Sequence, residues 1–266
     1  LGFSYKPGTK TEWYANISQN YRSVTFNDIR TASPGLAIDP SITDEKGFTF
    51  DLGVRGTADD RFNYDSSVYL LYYNDKIGEY MAPNPNGSGA VVRYRSNIGT
   101  AVTYGWELLA DWNIANTFFT GNRNFNWSVF LNNAITGSSY IKSDAPNIEG
   151  NSVEFVPLVN LKAGTSAGYR NFMASVQMSC LSEQFTDSGN TITDSNDNTY
   201  GIFGQIPSYY VADFSASYTW RNFRLEGSIS NFTNNYYFTR RATGYPGPGI
   251  LPSDPRMYYV TLQVKI

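Results

Sequence analysis

The sequence contains no histidine. That absence removes the commonest general base, every Ser-His or Cys-His nucleophile pair and the usual transition-metal ligand. Carboxylates or a lysine could still serve an enzyme, but a non-enzyme without a cofactor is the expectation. The single cysteine, Cys180, cannot form an internal disulfide, and no CxxC or Cys/His spacing offers a metal site. Twenty Lys and Arg against 23 Asp and Glu give a net charge of −3, which excludes the basic footprint of a nucleic-acid partner. No run of about 18 apolar residues exists, so there is no transmembrane helix, and no stretch has the period of a long amphipathic helix. No signal peptide is visible either. The chain opens at Leu1 rather than methionine, so its start reads as a cut or processed end and the missing signal carries no weight.

Aromatic residues are abundant instead, at 16% with 21 Tyr and 17 Phe, while charged residues reach only 16%, below the usual quarter or so. Mean hydropathy is −0.37. An aromatic-rich, charge-poor and still polar chain fits strands that present apolar surface on one face only. The stretch SNIGTAVTYGWELLADW (96–112) has that form. Tyr104, Trp106, Leu108, Ala110 and Trp112 fall on one face, and Thr103, Gly105, Glu107, Leu109 and Asp111 on the other, a period of two that predicts β structure. The alternation returns at 48–55, 125–132, 210–220, 223–230 and 258–266, and less cleanly at 11–22, 62–73, 156–169 and 172–182.

Tight connections at 6–10, 57–61, 169–171 and 221–222 alternate with long Gly-, Pro-, Asn- and Ser-rich ones at 23–46, 74–93, 136–153, 183–208 and 232–256; 113–124 is intermediate. In an up-and-down antiparallel sheet this puts all short turns at one end and all long loops at the other. A soluble sandwich has no need of that segregation or of ten-residue strands. A transmembrane barrel needs both, with a lipid-facing apolar band flanked by aromatic girdles, and it must close because hydrocarbon cannot satisfy an open edge. The expectation is therefore an all-β antiparallel transmembrane β-barrel of about 10–11 strands. Discarding the short strand at 2–6 leaves a self-contained ten-stranded barrel, such as an adhesin or protease; retaining it implies a larger barrel. A passive porin is a further alternative, but no loop shows the form of an inward constriction.

RYRSNIGTAVTYGWEL (93–108) resembles the Asn-x-Gly-x-Ala-x-x-x-Gly-x-Glu signature of TonB-dependent outer-membrane receptors, with Asn97, Gly99, Ala101, Gly105 and Glu107 at the matching positions. Residues 14–29 are similar to those receptors' long strand running into an external loop. Residues 230–266 are similar to their C-terminal region, with Asn231, Tyr236, Tyr237, a Gly-Pro loop, an arginine and a closing strand. The resemblance is greatest to ferric dicitrate and other ferric siderophore receptors and extends over the whole chain. It implies that residues 1–266 are the C-terminal portion of a 22-stranded barrel, with the N-terminal plug and first barrel half outside this chain. It implies location in the bacterial outer membrane, contact with lipid, the TonB energy-coupling protein, the protein's own plug and a ferric chelate. Importers of cobalamin or oligosaccharide share the same barrel. One departure is Ile266, where the family ends in phenylalanine; the terminus stays apolar.

Two groups of site residues follow. Arg93 and Arg95 beside Tyr94, and Arg240 and Arg241 near Tyr245, combine guanidinium forks with phenols and suit the carboxylates of an anionic iron chelate such as ferric citrate. The competing reading is arginines that pack loops against local carboxylates. Asp51, Arg55, Glu107 and Asp111 fall on the lumen face and are expected to meet the plug, the competing reading being a generic solvated lumen. Asp187, Asp194 and Asp197 lack the spacing of a calcium loop and read as a solvated loop.

Overall fold

The computed structural model describes residues 1–30, 35–59, 61–122, 124–192, 204–242 and 249–266. Its elements are β1 (Gly2–Tyr5), β2 (Thr11–Arg22), α1 (Phe26–Ile29), β3 (Leu36–Ile38), β4 (Glu45–Ala58), β5 (Phe62–Pro83), β6 (Val91–Asn113), α2 (Ile114–Phe118), β7 (Phe125–Ser143), β8 (Val159–Tyr169), β9 (Phe172–Leu181), β10 (Tyr209–Trp220), β11 (Phe223–Ser230), β12 (Phe238–Ala242), β13 (Gly249–Pro252) and β14 (Met257–Val264). Eleven of the strands form one antiparallel meander in the order β1-β2-β4-β5-β6-β7-β8-β9-β10-β11-β14, and β3 joins β6 from the side in parallel. β1 and β14 are its two ends and do not pair, so the sheet is not closed. A ten-stranded barrel starting at β2 would require β2 to pair with β14; β2 pairs with β1 and β4 instead, and that alternative is set aside.

The alternation in the sequence becomes two chemically distinct faces because paired residues share a side of the sheet. Phe214, Ile229 and Tyr258 stand in one cross-strand row, and Tyr218, Leu225 and Leu262 in another. On the opposite face Asn16, Asp51, Tyr69, Gly105 and Thr136 form a single row. Large apolar side chains including Trp13, Phe50, Tyr104, Trp106 and Phe214 are exposed on the sheet. The buried cluster lies elsewhere, where the long loops gather, and comprises Ile98, Ala101, Tyr140, Ile148 and Val153.

Two boundaries differ from those the sequence suggests. Residues 74–93 read as a loop, yet β5 and β6 continue as a paired hairpin to Pro83 and Val91, leaving only 84–90 to connect them. The ladder is interrupted between Tyr73 and Ile77, where the paired residues slip in register, and resumes with Ile77 opposite Asn97, which brings Glu79 opposite Arg95. Opposite charges on facing residues hold a segment whose composition alone looks loop-like. The second difference is β7, which runs to Ser143 and displaces the following loop to 144–158.

Candidate functional site

The outer end of the sheet is built on the β5–β6 hairpin. At its base, Gly99 has φ +151, and a Cβ there would lie 2.1 Å from the Lys142 carbonyl oxygen, so only glycine fits the bulge in which β6 shifts register against β7. Asn97, two residues before it, locks the neighbouring loop: its Oδ1 accepts from the Thr43 backbone N–H at 2.7 Å, and its Nδ2 donates to the carbonyls of Thr43 at 2.9 Å and Asp75 at 2.6 Å. Ala101 is buried under Tyr140 and Ile148. Asn97, Gly99 and Ala101 of the sequence signature thus shape the point at which β6 passes from the regular ladder into the extended hairpin.

Segment 23–44 is tied down by carboxylates. Asp28 Oδ2 accepts from the Thr25 N–H at 2.8 Å and hydroxyl at 2.6 Å, and its Oδ1 accepts from Arg22 Nη2 at 2.6 Å. Burial would raise the Asp28 pKa, but the Thr25 hydrogen bonds and the Arg22 charge together hold it below the ordinary carboxylate range. Asp39 is lowered by hydrogen bonds from the Ser41 and Ser96 hydroxyls and the Ser41 N–H, and Asp44 by the Tyr21 hydroxyl and the Val24 N–H.

Arg93 and Arg95 stand on β6, and both grip Glu79. Arg93 Nη2 lies 2.6 Å from Glu79 Oε2, and Arg95 donates its Nε at 3.0 Å and a closer Nη2 to Oε1. Arg95 Nη1 also donates to the Asn27 carbonyl at 2.6 Å and the Asp28 carbonyl at 3.1 Å. The three side chains are only 13%, 19% and 17% exposed. Both guanidinium groups therefore brace the hairpin through Glu79, and Arg95 also holds α1 to it. Glu79, their shared anion, was absent from the residues singled out in the sequence, although its facing position to Arg95 becomes evident once β5 and β6 are known to pair this far.

Arg240 and Arg241 lie on the β12–β13 hairpin within the last long loop. Arg240 is exposed, as is the nearby Tyr236. Arg241 donates Nη2 to the Gln205 carbonyl at 2.8 Å and stands 5.1 Å over the Phe238 ring. Tyr245 lies outside the described residues, as do Asp194 and Asp197. Asp187 is not the solvated loop residue the sequence suggests: it is 4% exposed, with Oδ1 accepting from the Thr191 hydroxyl. Its segment is drawn inward because Ser188 and Gln184 bond to the Glu79 and Ile206 backbones. Among the described residues no group of three metal-ligating side chains occurs. Ser188 bonds to the Glu79 backbone, and Gln205 accepts from Arg241. Asn231, nearly inaccessible and with φ +48, anchors the last loop by accepting from the Asn235 N–H and donating to the Asn235 and Asp254 carbonyls.

On the inward face, Arg55 donates Nε to Glu12 Oε2 at 3.1 Å and covers the Tyr14 ring, whose hydroxyl donates to Asp65 at 2.7 Å. Asp51 accepts from Asn16 Nδ2 at 3.3 Å. Arg55 and Asp111 both border a concavity of about 390 Å³ near the short-turn end. Glu107 and Asp111 are exposed on this face.

The chain matches the family described as TonB dependent receptor-like, beta-barrel, over residues 1–232. The fold is similar to the unliganded ferric citrate transporter FecA, with a TM-score of 0.74 and 20% identity over 98% of this chain and 37% of that one. It is similar to the ferric yersiniabactin uptake receptor FyuA from Yersinia pestis at a TM-score of 0.71 and 17% identity, covering 99% and 36%. The copper transporter OprC gives 0.69 and 16%, covering 99% and 38%. No curated protein matches. At these identities the likeness is one of fold, and this chain spans 36–38% of the length of each of those proteins.

Proposed function

The chain belongs to the TonB dependent receptor-like beta-barrel family, and from that premise we propose that it is the C-terminal portion of a barrel that imports an anionic ferric chelate. The family is one of the Gram-negative outer membrane, so the apolar face of the meander meets lipid and the polar face lines the lumen. Residues 1–266 supply eleven strands, and the remaining strands and the plug belong to the rest of the receptor. Ligand is captured outside by loops, and TonB-coupled movement of the plug opens the lumen. Glu107, Asp111, Asp51 and Arg55 meet the plug, and the protein carries out transport and not catalysis.

The observation that carries the anionic-ligand reading is the exposed guanidinium of Arg240 on β12, four residues from the exposed phenol of Tyr236. A planar five-donor fork suits the carboxylate oxygens of a citrate-type chelate, and an exposed phenol in the same loop offers a further donor. Arg93 and Arg95 enter indirectly, by fixing the hairpin. The test is equilibrium binding of ferric citrate and of a neutral siderophore to the intact receptor. A charge-assisted hydrogen bond contributes about 1.5–3 kcal/mol, so Arg240→Ala is expected to weaken ferric citrate binding roughly ten- to a hundredfold. Arg240→Lys is expected to recover part of that, since lysine keeps the charge without the fork. Arg241 is a poorer probe because its removal also frees the Gln205 carbonyl. Unchanged ferric citrate affinity in a correctly folded Arg240→Ala receptor overturns the anionic-ligand reading.

A further inference from the structure

Three outer segments converge on two consecutive residues of β5, Gly78 and Glu79. From segment 23–44, the Asn27 and Asp28 carbonyls accept from Arg95, which in turn holds the Glu79 carboxylate. From segment 144–158, Glu154 presses against Gly78 so closely that a Cβ there would lie 2.8 Å from Glu154 Oε1 and 2.5 Å from Ile98 Cδ1. From segment 182–192, Ser188 donates both its N–H, at 3.0 Å, and its hydroxyl, at 2.7 Å, to the Glu79 carbonyl oxygen. The Phe155 N–H donates to the Phe185 carbonyl at 2.9 Å and joins the last two segments to each other.

One residue therefore serves different loops with its two ends. Its carboxylate bridges Arg93 and Arg95, and its carbonyl receives Ser188. The ion cluster is mostly removed from water, where a charge left without its counterpart is unfavourable by far more than an exposed one. Arg95 cannot hold α1 in place unless Glu79 fixes its orientation, and the Glu79 carbonyl keeps its direction only while Glu79 faces Arg95 in the ladder.

We propose that Glu79 is a positioning residue that couples the three outer segments, so that ordering one of them orders the others. The ligand is taken from the reading above; the coupling itself is a property of the loops without ligand. Hydrogen exchange in the intact receptor reads it at the amides of Asp28, Asp39, Asn151, Ser188 and Asn190, each of which donates to a carbonyl in or beside these segments. Glu79→Gln keeps the shape and removes the charge. It is expected to speed exchange in all three segments by about tenfold or more, the scale of one charge-assisted contact, and to leave Asn234 in the last loop unchanged. Ser188→Ala, which perturbs segment 182–192 without touching the ion cluster, is expected to speed exchange at Asp28 in the native background and to add nothing there in the Glu79→Gln background. An effect of Glu79→Gln confined to segment 23–44, or of Ser188→Ala confined to segment 182–192, overturns the coupling. Ferric citrate added to the native receptor is expected to slow exchange in both of those segments. If the native receptor does not bind ferric citrate, the ligand reading fails, while the ligand-free comparison still decides the coupling.

Discussion

Gly105 lies where the Tyr69 side chain crosses from β5 onto β6. A Cβ at that position would meet the Tyr69 hydroxyl at 2.7 Å and the Ile135 carbonyl oxygen at 2.6 Å, and the Tyr69 hydroxyl goes on to bond Thr136 Oγ1 at 2.7 Å. Tyr14 covers Gly53 in the same manner two strands away. The inward face thus uses glycine as a seat for a tyrosine from the adjacent strand, which explains why glycine stands behind an aromatic, lipid-facing row. Gly105→Ala is expected to destabilise the receptor by about 1–3 kcal/mol, as overpacking does. The shift of its thermal unfolding midpoint in detergent checks this, and a Gly105→Ala, Tyr69→Ala double variant is expected to lose less than the two singles combined. At the same scale, the four arginines selected for a ligand divide by their surroundings. Arg93 and Arg95 share a carboxylate, Arg241 holds a carbonyl, and Arg240 is exposed. Their residue type was legible in the sequence. Their partners were not, because Glu79 and Gln205 are brought to them by strand register and loop docking rather than by nearness along the chain.

At the scale of elements, segment 23–44 owes its docking to carboxylates with lowered pKa values. Each is favoured in its charged form by the fold, so the stabilisation is complete above the ordinary carboxylate range, about pH 4, and is lost as the pH falls below it through the folded-state values. Asp39 and Asp44 set that direction through hydroxyl and N–H donors, and Asp28 through Thr25 and Arg22. Hydrogen exchange of segment 23–44 in the intact receptor is expected to be slow and flat from pH 7 to about 5, after correction for intrinsic rates, and to lose its protection below about pH 4. The last loop, anchored by the neutral amide of Asn231, serves as the internal comparison. The β5–β6 hairpin illustrates the limit of pattern reading at this scale. Its membrane part alternates cleanly on β6 and less cleanly on β5, whereas residues 74–83 contain Asn, Asp, Lys, Gly and Pro and read as a loop until their partners on β6 are known.

At the scale of the whole molecule, one meander separates two environments. Arginine at Leu225, on the face shared with Tyr218 and Leu262, is expected to cost about 2–4 kcal/mol when that position lies in mid-membrane; arginine at Ser228, on the inward face between Ser215 and Tyr259, is expected to cost much less. Folding yield and unfolding free energy of the intact receptor in lipid vesicles measure the difference; equal costs would mean that the alternation does not separate lipid from lumen there, and a higher cost at Ser228 that the faces are reversed. The ends of the meander give a further expectation. β1 and β14 present unpaired edges, and an open edge in hydrocarbon leaves backbone groups unsatisfied. Residues 1–266 refolded alone in detergent are expected to associate rather than yield a heat-resistant monomer, as sedimentation and heat-modified gel mobility can show.

The sequence by itself determined the all-β class, the two faces of each strand, the alternation of short and long connections and the family signature around Asn97–Glu107. Those properties are local: side chains two apart on an extended chain share a face whatever else the protein does, and Gly, Pro and Asn announce turns through their own backbone preferences. It also put Asp51, Arg55, Glu107 and Asp111 on one face, and the strand register gives these four a common face. Only the tertiary structure decided that the meander stays open, that the β5–β6 hairpin extends beyond the membrane band, and that Asp187 is buried. It alone brought Glu79 between Arg93 and Arg95 and Ser188 onto its carbonyl, from a position 109 residues away. Contacts of that separation depend on which strands neighbour each other and in what register. Such pairing is set by the sum of many weak local preferences, and no single stretch of the sequence records it.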